Sequence, residues 1–201
     1  YFEYGDLGFP AFRGPTQWHR AIMGMLICND RRWPEGWRCY GLQGVELMVM
    51  GYNSAAYDPN GGEGESAELR THHSTMAVQA NAYMNATWAV SVAKAGNEDG
   101  SGLIGGSCII SPNGIIMAQA KTLGDEVILA EADLDDLHVA GHAGMADVGL
   151  AQQRADVADD RLGAPRQRRL HVDLHQEVHP AAQVQPEDIG SAWMRVSQGG
   201  D

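Results

Sequence analysis

The sequence predicts an α/β fold, because stretches with strand periodicity alternate with stretches with helix periodicity. Apolar, strand-like runs occupy residues 21–27, 45–52 and 88–94, and helical patterns occupy residues 34–43 and about 66–86. Strands that alternate with helices in this way form a sheet that is covered on a face by helices.

Turn residues set the remaining elements. In chain order these are a loop at 53–64, a glycine-rich loop at 96–106, a hairpin of strands at 107–111 and 114–119, and a strand at 126–132. The hairpin is indicated by Pro-Asn-Gly between its two strands. The glycine-rich stretch has no lysine pattern of a phosphate-binding loop, so we interpret it as a connection.

Composition excludes several classes of protein. With 201 residues, of which 44% are hydrophobic and 20% charged, the chain is typical of a globular domain with a core. A net charge of −12 argues against a nucleic-acid partner. No run predicts a membrane span or a secretory leader, so we expect no membrane association. Three widely spaced cysteines do not suggest a disulfide framework, which favours the reducing cytoplasm.

Cys28 stands where a thiol is expected to be reactive. It closes the strand at 21–27 and precedes a turn that leads into a helix, with two arginines close by. We expect Asp30 to cap that helix and Pro34 to stand in its first turn. The backbone amide of Asn29 then points toward an oxyanion on a substrate bonded to the sulfur. A buried core cysteine at a strand end is the alternative for a lone cysteine.

The segment around Cys28 resembles that of a known family. Residues 27–35 read Ile-Cys-Asn-Asp-Arg-Arg-Trp-Pro-Glu and follow Gly-Asp-Leu-Gly-Phe-Pro. Later segments agree in order: Gly-Tyr-Asn at 51–53, a histidine pair at 72–73, Gly-Ser-Cys-Ile-Ile-Ser-Pro-Asn-Gly at 106–114 and Asp-Glu-Val-Ile at 125–128. Over about residues 1–134 the chain resembles the nitrilase superfamily of carbon-nitrogen hydrolases, and most closely its N-carbamoyl-D-amino-acid amidohydrolases.

The resemblance implies an αββα sandwich of the nitrilase type, in which two sheets pack face to face with helices outside. Residues 1–134 would form this domain incompletely, without its front part. Residues 136–201 contain no Lys, Phe, Tyr, Asn or Cys, and the family's continuation is absent there. We therefore interpret residues 135–201 as an anomalous, irregular carboxyl-terminal tail, either frame-shifted or a divergent, disordered segment.

The resemblance also implies a reaction. Cys28 matches the nucleophile and Asn29 the backbone oxyanion donor, while a glutamate and a lysine are expected from segments before the matched portion. We assign those two roles to no residue of this chain and expect no metal or other cofactor. The implied reaction is hydrolysis of N-carbamoyl-D-amino acids to amino acid, ammonia and carbon dioxide. One alternative is another activity of the superfamily, the hydrolysis of β-ureido acids, aliphatic amides or nitriles. The other is that the chain is a non-catalytic fragment.

Arg31 and Arg32 favour a small-molecule substrate that bears a carboxylate, because a guanidinium fork binds a carboxylate through two parallel hydrogen bonds. The alternative is that one or both pair with an acidic residue such as Glu35 or Glu46. The resemblance also implies that the full-length protein is a homo-oligomer.

Three further residues are implied to lie near the substrate. Asn53 and Ser54 follow the next strand and would contact the substrate through backbone or side chain. His72, on the first turns of the long helix, would support the site, although a core or capping histidine fits the sequence equally well.

Other candidate groups have weaker claims. Cys39 and Cys108 are interpreted as packing residues of a helix and of a hairpin strand. His171, His175 and His179 would share one face of a helix and could bind zinc there, but they lie in the anomalous tail.

Overall fold

The computed structural model describes residues 5–57, 65–135, 168–176 and 192–198. Within these ranges the chain forms two α-helices and eleven strands, arranged as one helical layer and two stacked sheets beside a small hairpin. The predicted α/β class is therefore confirmed. The layers correspond to the helix-sheet-sheet part of an αββα sandwich.

The strands fall into three sheets. The six-stranded sheet contains, in spatial order, β1 (Phe12–Arg13), β2 (Ile22–Ile27), β3 (Leu47–Tyr52), β4 (Trp88–Ala93), β7 (Cys108–Ile110) and β8 (Ile116–Gln119). The three-stranded sheet contains β9 (Glu126–Asp133), β10 (Arg169–Gln176) and β11 (Ala192–Gln198), and the hairpin consists of β5 (Ala95–Glu98) and β6 (Ser101–Ile104). Strands β2, β3 and β4 are parallel neighbours. Their carboxyl ends consequently meet at one edge of the sheet, where α/β proteins place their sites.

Two helices cover one face of the six-stranded sheet. Helix α1 (Pro34–Leu42) begins with Pro34 at a helix start, as predicted, but its N-cap is Trp33 and no side chain caps it. The prediction that Asp30 caps α1 is wrong, because a 3-10 helix (Cys28–Arg32) intervenes and Asp30 lies within it. Helix α2 (Ala67–Asn85) is capped by the Ser66 hydroxyl, which accepts the Leu69 N–H at 3.2 Å.

The two faces of the six-stranded sheet are buried against different layers. One face packs on α1 and α2 through residues that include Leu26, Trp37, Tyr40, Met48, Val78 and Ile110. The opposite face packs on the three-stranded sheet through residues that include Met23, Leu47, Val90, Ile109, Leu170 and Val172. Strands β2 and β3 supply both cores because successive side chains of a strand point to opposite faces.

The glycine-rich stretch at 96–106 is largely a hairpin, and the prediction of a loop there is wrong. Strands β5 and β6 pair through four register positions, from Ala95 with Ile104 to Glu98 with Ser101. Asp99 and Gly100 form the turn with φ values of 51° and 83°. Positive φ at both central residues is typical of the two-residue turns of β-hairpins, for which Asp-Gly is a strong signal.

Part of the predicted anomalous tail is ordered into strands. Strand β10 pairs antiparallel with β9 along eight residues, and Leu170, Val172 and Leu174 are fully buried. The compositional boundary near residue 135, the disorder of the tail and the frame-shift hypothesis stay predictions. His171 and His175 lie in a strand and not in a helix, and His179 lies outside the described residues.

Candidate active site

Cys28 lies at a sharp turn between β2 and the 3-10 helix. Ile27 still has extended backbone, with φ −122° and ψ 136°, and Cys28 then adopts φ 49°. A left-handed conformation is unfavourable for a residue with a side chain, and such strain is concentrated at functional turns. The side chain is exposed at the carboxyl edge of the parallel strands, so the alternative of a buried core cysteine is wrong. Asn29 is also exposed, and its N–H belongs to the start of a helix, where backbone donors lack helical acceptors.

Arg31 lies beneath this turn and is only 1% exposed. Its Nη1 donates to the Cys28 carbonyl at 2.5 Å, and its Nη2 donates to the hydroxyls of Ser54 at 3.1 Å and Ser74 at 2.6 Å. Its Nε donates to Ser74 as well, at 3.1 Å. The guanidinium carbon lies 3.7 Å from the centroid of the Tyr52 ring. Four of the five guanidinium N–H groups are thus engaged inside the protein.

Burial dominates the electrostatics of this cluster. It lowers the pKa of Arg31, against the favourable influence of Tyr52, Cys28 and Cys108. It raises the pKa of Tyr52, and it raises the pKa of Cys108 to about 12, although a hydrogen bond with Ser91 and the charge of Arg31 oppose the latter shift. Cys108 is therefore an unreactive core thiol, as the sequence predicted.

Arg32 has surroundings unlike those of Arg31. Its side chain is exposed, and within the described part of the chain it makes no hydrogen bond or ion pair. The alternative of pairing with Glu46 is wrong for both arginines: the Glu46 carboxylate binds Arg168 at 3.0 Å and accepts the Ile22 N–H at 2.9 Å.

The other predicted residues are arranged around the turn to different degrees. Ser54, on the loop after β3, is connected to it through Arg31, and Asn53 beside it is exposed. His72 is exposed on α2 and contacts His73, with 5.8 Å between ring centroids. No described contact connects His72 with Cys28, and its supporting role stays a prediction. Cys39 is exposed on α1, so its interpretation as a packing residue is wrong.

Ser74 was not predicted from the sequence, although it makes the shortest hydrogen bond of Arg31 to another side chain, at 2.6 Å. It lies on the buried face of α2 with Val78, Asn81 and Asn85. Successive spacings of four, three and four residues place these side chains on one helix face. That spacing, with small polar residues among apolar ones, was the available signal.

Two classes of site find no counterpart among the described residues. No group of three or more His, Cys, Asp or Glu side chains there could hold a metal ion. Neither helix in those ranges has the length and hydropathy that a membrane span requires.

The turn, its exposed thiol and the α/β sandwich agree with a match to a family model. The model of the carbon-nitrogen hydrolase family matches residues 1–140. The chain belongs to the carbon-nitrogen hydrolase family. Among curated members, a nitrilase of Pyrococcus abyssi (strain GE5 / Orsay) is 29% identical over 134 residues, which are 67% of this chain and 44% of that protein. An N-carbamoylputrescine amidase of Oryza sativa subsp. japonica is 32% identical over 151 residues, 71% of this chain and 47% of that protein.

A solved structure has the same fold. A carbon-nitrogen hydrolase from Helicobacter pylori G27 superposes with a TM-score of 0.61 at 21% identity, over 83% of this chain and 56% of that one. This carbon-nitrogen hydrolase chain spans less than half the length of the two curated relatives.

Proposed function

We propose that this chain carries the nucleophile of a hydrolase that cleaves carbon-nitrogen bonds, and that Cys28 is this nucleophile. The observation that carries the proposal is an exposed thiol on a residue with φ 49°, at the edge where three parallel strands end. A strained strand-to-helix turn of this kind exposes a nucleophile and directs backbone donors at the reacting carbonyl. Membership of the carbon-nitrogen hydrolase family supports the same class of reaction.

The proposed reaction has two steps. The Cys28 sulfur attacks the carbonyl carbon, a C–S bond forms, and the C–N bond breaks while the thiol proton passes to the leaving nitrogen. Water then attacks the same carbon, the C–S bond breaks, and the thiol recovers a proton. From a carbamoyl substrate this step releases a carbamic acid, whose remaining C–N bond breaks as it loses carbon dioxide and leaves the free amine. The Asn29 N–H donates to the oxyanion in both steps. Proton transfer is assigned to a glutamate and a second oxyanion contact to a lysine, neither of which we identify in this chain.

We propose an N-carbamoyl-D-amino acid as the substrate, with the amino acid, ammonia and carbon dioxide as products. The support is an exposed arginine close to the nucleophile. Because Arg31 is committed to Cys28, Ser54 and Ser74, Arg32 is the better placed of the two arginines to bind a carboxylate. Asn53 is exposed after the neighbouring strand and is proposed as a further contact.

A carbamoyl compound without a carboxylate is the second candidate. It is favoured by the likeness to an N-carbamoylputrescine amidase, because putrescine is a diamine and its carbamoyl derivative has no carboxylate. The two candidates therefore differ in whether the substrate needs a cationic partner near Cys28.

The assignment of the nucleophile is tested in a full-length protein that carries residues 1–134 together with the glutamate and the lysine assigned to proton transfer and oxyanion binding. Ammonia release from an N-carbamoyl-D-amino acid should be abolished by Cys28→Ala with an unchanged circular dichroism spectrum. Cys28→Ser should be almost inactive, because a serine hydroxyl is far less ionised than a thiol at neutral pH. Full activity of Cys28→Ala would contradict the assignment.

The carboxylate contact is tested with Arg32→Ala. We expect KM for the carbamoyl amino acid to rise by about thirtyfold, the equivalent of about 2 kcal/mol for a charge-assisted hydrogen bond, with a much smaller change for a neutral amide analogue. Arg13→Ala is the matched control, since it removes an exposed arginine of β1 and changes the net charge equally. Equal losses on the charged and neutral substrates would contradict the carboxylate contact and indicate a structural role for Arg32.

A further inference from the structure

Arg31 is a buried cation that has no carboxylate partner among the described residues. Its side chain is 1% exposed, and none of the ion pairs within those residues includes it. Burying a charge is costly unless hydrogen bonds or opposite charges compensate it. Here hydroxyl and carbonyl oxygens compensate it, together with the face of an aromatic ring.

The contacts of Arg31 join three separate elements to the turn. Ser74 belongs to α2, Ser54 to the loop after β3, and Tyr52 to β3 itself. The remaining contact is with the carbonyl of Cys28, three residues earlier in the chain. The guanidinium is planar and its donors have fixed directions, so fixing one side of the group orients the other side. Ser74 accepts from Nε and Nη2, and this orients Nη1 toward the Cys28 carbonyl.

We infer that Arg31, held by Ser74, is a positioning residue that fixes Cys28 in its left-handed conformation. The hydrogen bond to the Cys28 carbonyl holds the peptide that follows the strained φ, and that peptide also carries the Asn29 N–H. Arg31 touches neither the sulfur nor a substrate in this arrangement and acts through the backbone of Cys28. The inference rests on the proposed function for its kinetic consequence only, since the geometry of the turn is independent of turnover.

Ser74→Ala tests this inference, because it removes one hydroxyl and leaves Arg31 in place. In the active protein we expect kcat to fall by about tenfold with KM within about twofold, since misplacement of a nucleophile affects the chemical step more than ground-state binding. Loss of folded protein alone would reduce the apparent enzyme concentration. Rates are therefore normalised to the folded fraction measured by circular dichroism.

Thr75→Val is the matched control. Thr75 is the next residue of α2 and is also buried, but its hydroxyl donates to the Thr71 carbonyl within the helix. We expect Thr75→Val to leave kcat unchanged and Ser74→Thr, which restores a hydroxyl, to recover most of the lost activity. Equal effects of Ser74→Ala and Thr75→Val, or no recovery by Ser74→Thr, would overturn the inference.

A measurement without substrate separates this inference from the proposed function. In the 201-residue chain with Cys39→Ser, iodoacetamide labelling of Cys28 is followed by mass spectrometry of its peptide. We expect Ser74→Ala to slow labelling by about fivefold, because a guanidinium that has lost Ser74 no longer fixes the Cys28 backbone that holds the sulfur outward. Unchanged labelling would overturn the positioning role, while slowed labelling with no turnover on any amide would reject the proposed function alone.

Discussion

Cys108 illustrates how burial determines the chemistry of a single residue. Its thiol is fully buried in β7, and burial raises its pKa from 9.0 to about 12. The folded state therefore retains the thiol proton at pH values where the unfolded chain releases it. The retained proton stabilises the folded state relative to the unfolded state. This contribution to the free energy of unfolding is fully present below about pH 9 and is lost as the pH rises toward 12.

We expect Cys108→Ala to reduce the alkaline sensitivity of the protein. At pH 7 the variant should be less stable than the wild type because it leaves a small cavity. Between pH 9 and 11 this difference should shrink by up to about 1.4 kcal/mol per pH unit, because only the wild type retains the buried thiol. Urea unfolding at several pH values measures it. A constant difference across that range would show that Cys108 does not titrate as inferred.

At the scale of elements, the approach of α1 to β2 depends on one glycine. A Cβ at Gly24 would lie 2.8 Å from Cδ1 of the Tyr40 ring, closer than carbon atoms pack. Tyr40 is held there because its hydroxyl donates to the Met25 carbonyl at 2.8 Å. The ring therefore has little freedom to move away, and a larger residue must displace the helix.

Gly24→Ala should consequently destabilise the protein by about 1–3 kcal/mol, as other overpacked cores do. Gly51→Ala is the matched control on β3, where a Cβ would meet no heavy atom within 4 Å. We expect that control to change the free energy of unfolding by less than about 0.5 kcal/mol. Chemical denaturation of the two variants measures the contrast, and similar losses at both positions would show that Tyr40 does not restrict Gly24.

The elements differ in how far the sequence predicts them. Strands β2 to β4 and both helices were predicted because apolar periodicity reports burial directly. The hairpin of β5 and β6 was missed although Asp99 and Gly100 carry a strong turn signal, since the flanking glycines favoured a loop. Strand β10 was missed because the composition of residues 136–201 predicts an anomalous tail, although Leu170, Val172 and Leu174 alternate as the side chains of a strand do.

The candidate site was predicted to a smaller extent. Cys28 and its turn followed from a local pattern of strand, turn and helix. The difference between Arg31 and Arg32 could not be predicted, because the two are adjacent and Arg31 is buried only where α2, β3 and the loop after β3 come together. Ser74 is 43 residues from Arg31 in the chain, and contacts at such separations depend on the assembled layers.

At the scale of the whole molecule, one sheet face is covered only in part. Met23 is 2% exposed beneath the three-stranded sheet, whereas Met25 and Ile27 on the same face are 59% and 71% exposed. Exposed apolar residues at the end of a core indicate a surface where further protein could pack. A homo-oligomer of the complete protein stays a prediction.

The composition of residues 136–201 and the packing of β10 lead to opposite expectations for the whole chain. A frame-shifted or disordered tail would contribute nothing to stability. In the fold, however, β10 places three apolar side chains in the core between the sheets, and Arg168 just before it binds Glu46, which is 3% exposed. Burial by itself lowers the pKa of Arg168. The hydrogen bonds and negative charges of Glu46 and Asp135 outweigh this effect and raise that pKa.

Leu174→Ala decides between these expectations. If β10 is part of the core, the substitution should lower the free energy of unfolding of the 201-residue chain by about 2–5 kcal/mol, as for other buried leucines. Asp173→Ala is the matched control, because this neighbour in β10 points to the opposite face and is half-buried. It should cost less than about 0.5 kcal/mol. Denaturant unfolding measures both, and a Leu174→Ala variant as stable as the wild type would favour a tail that does not pack.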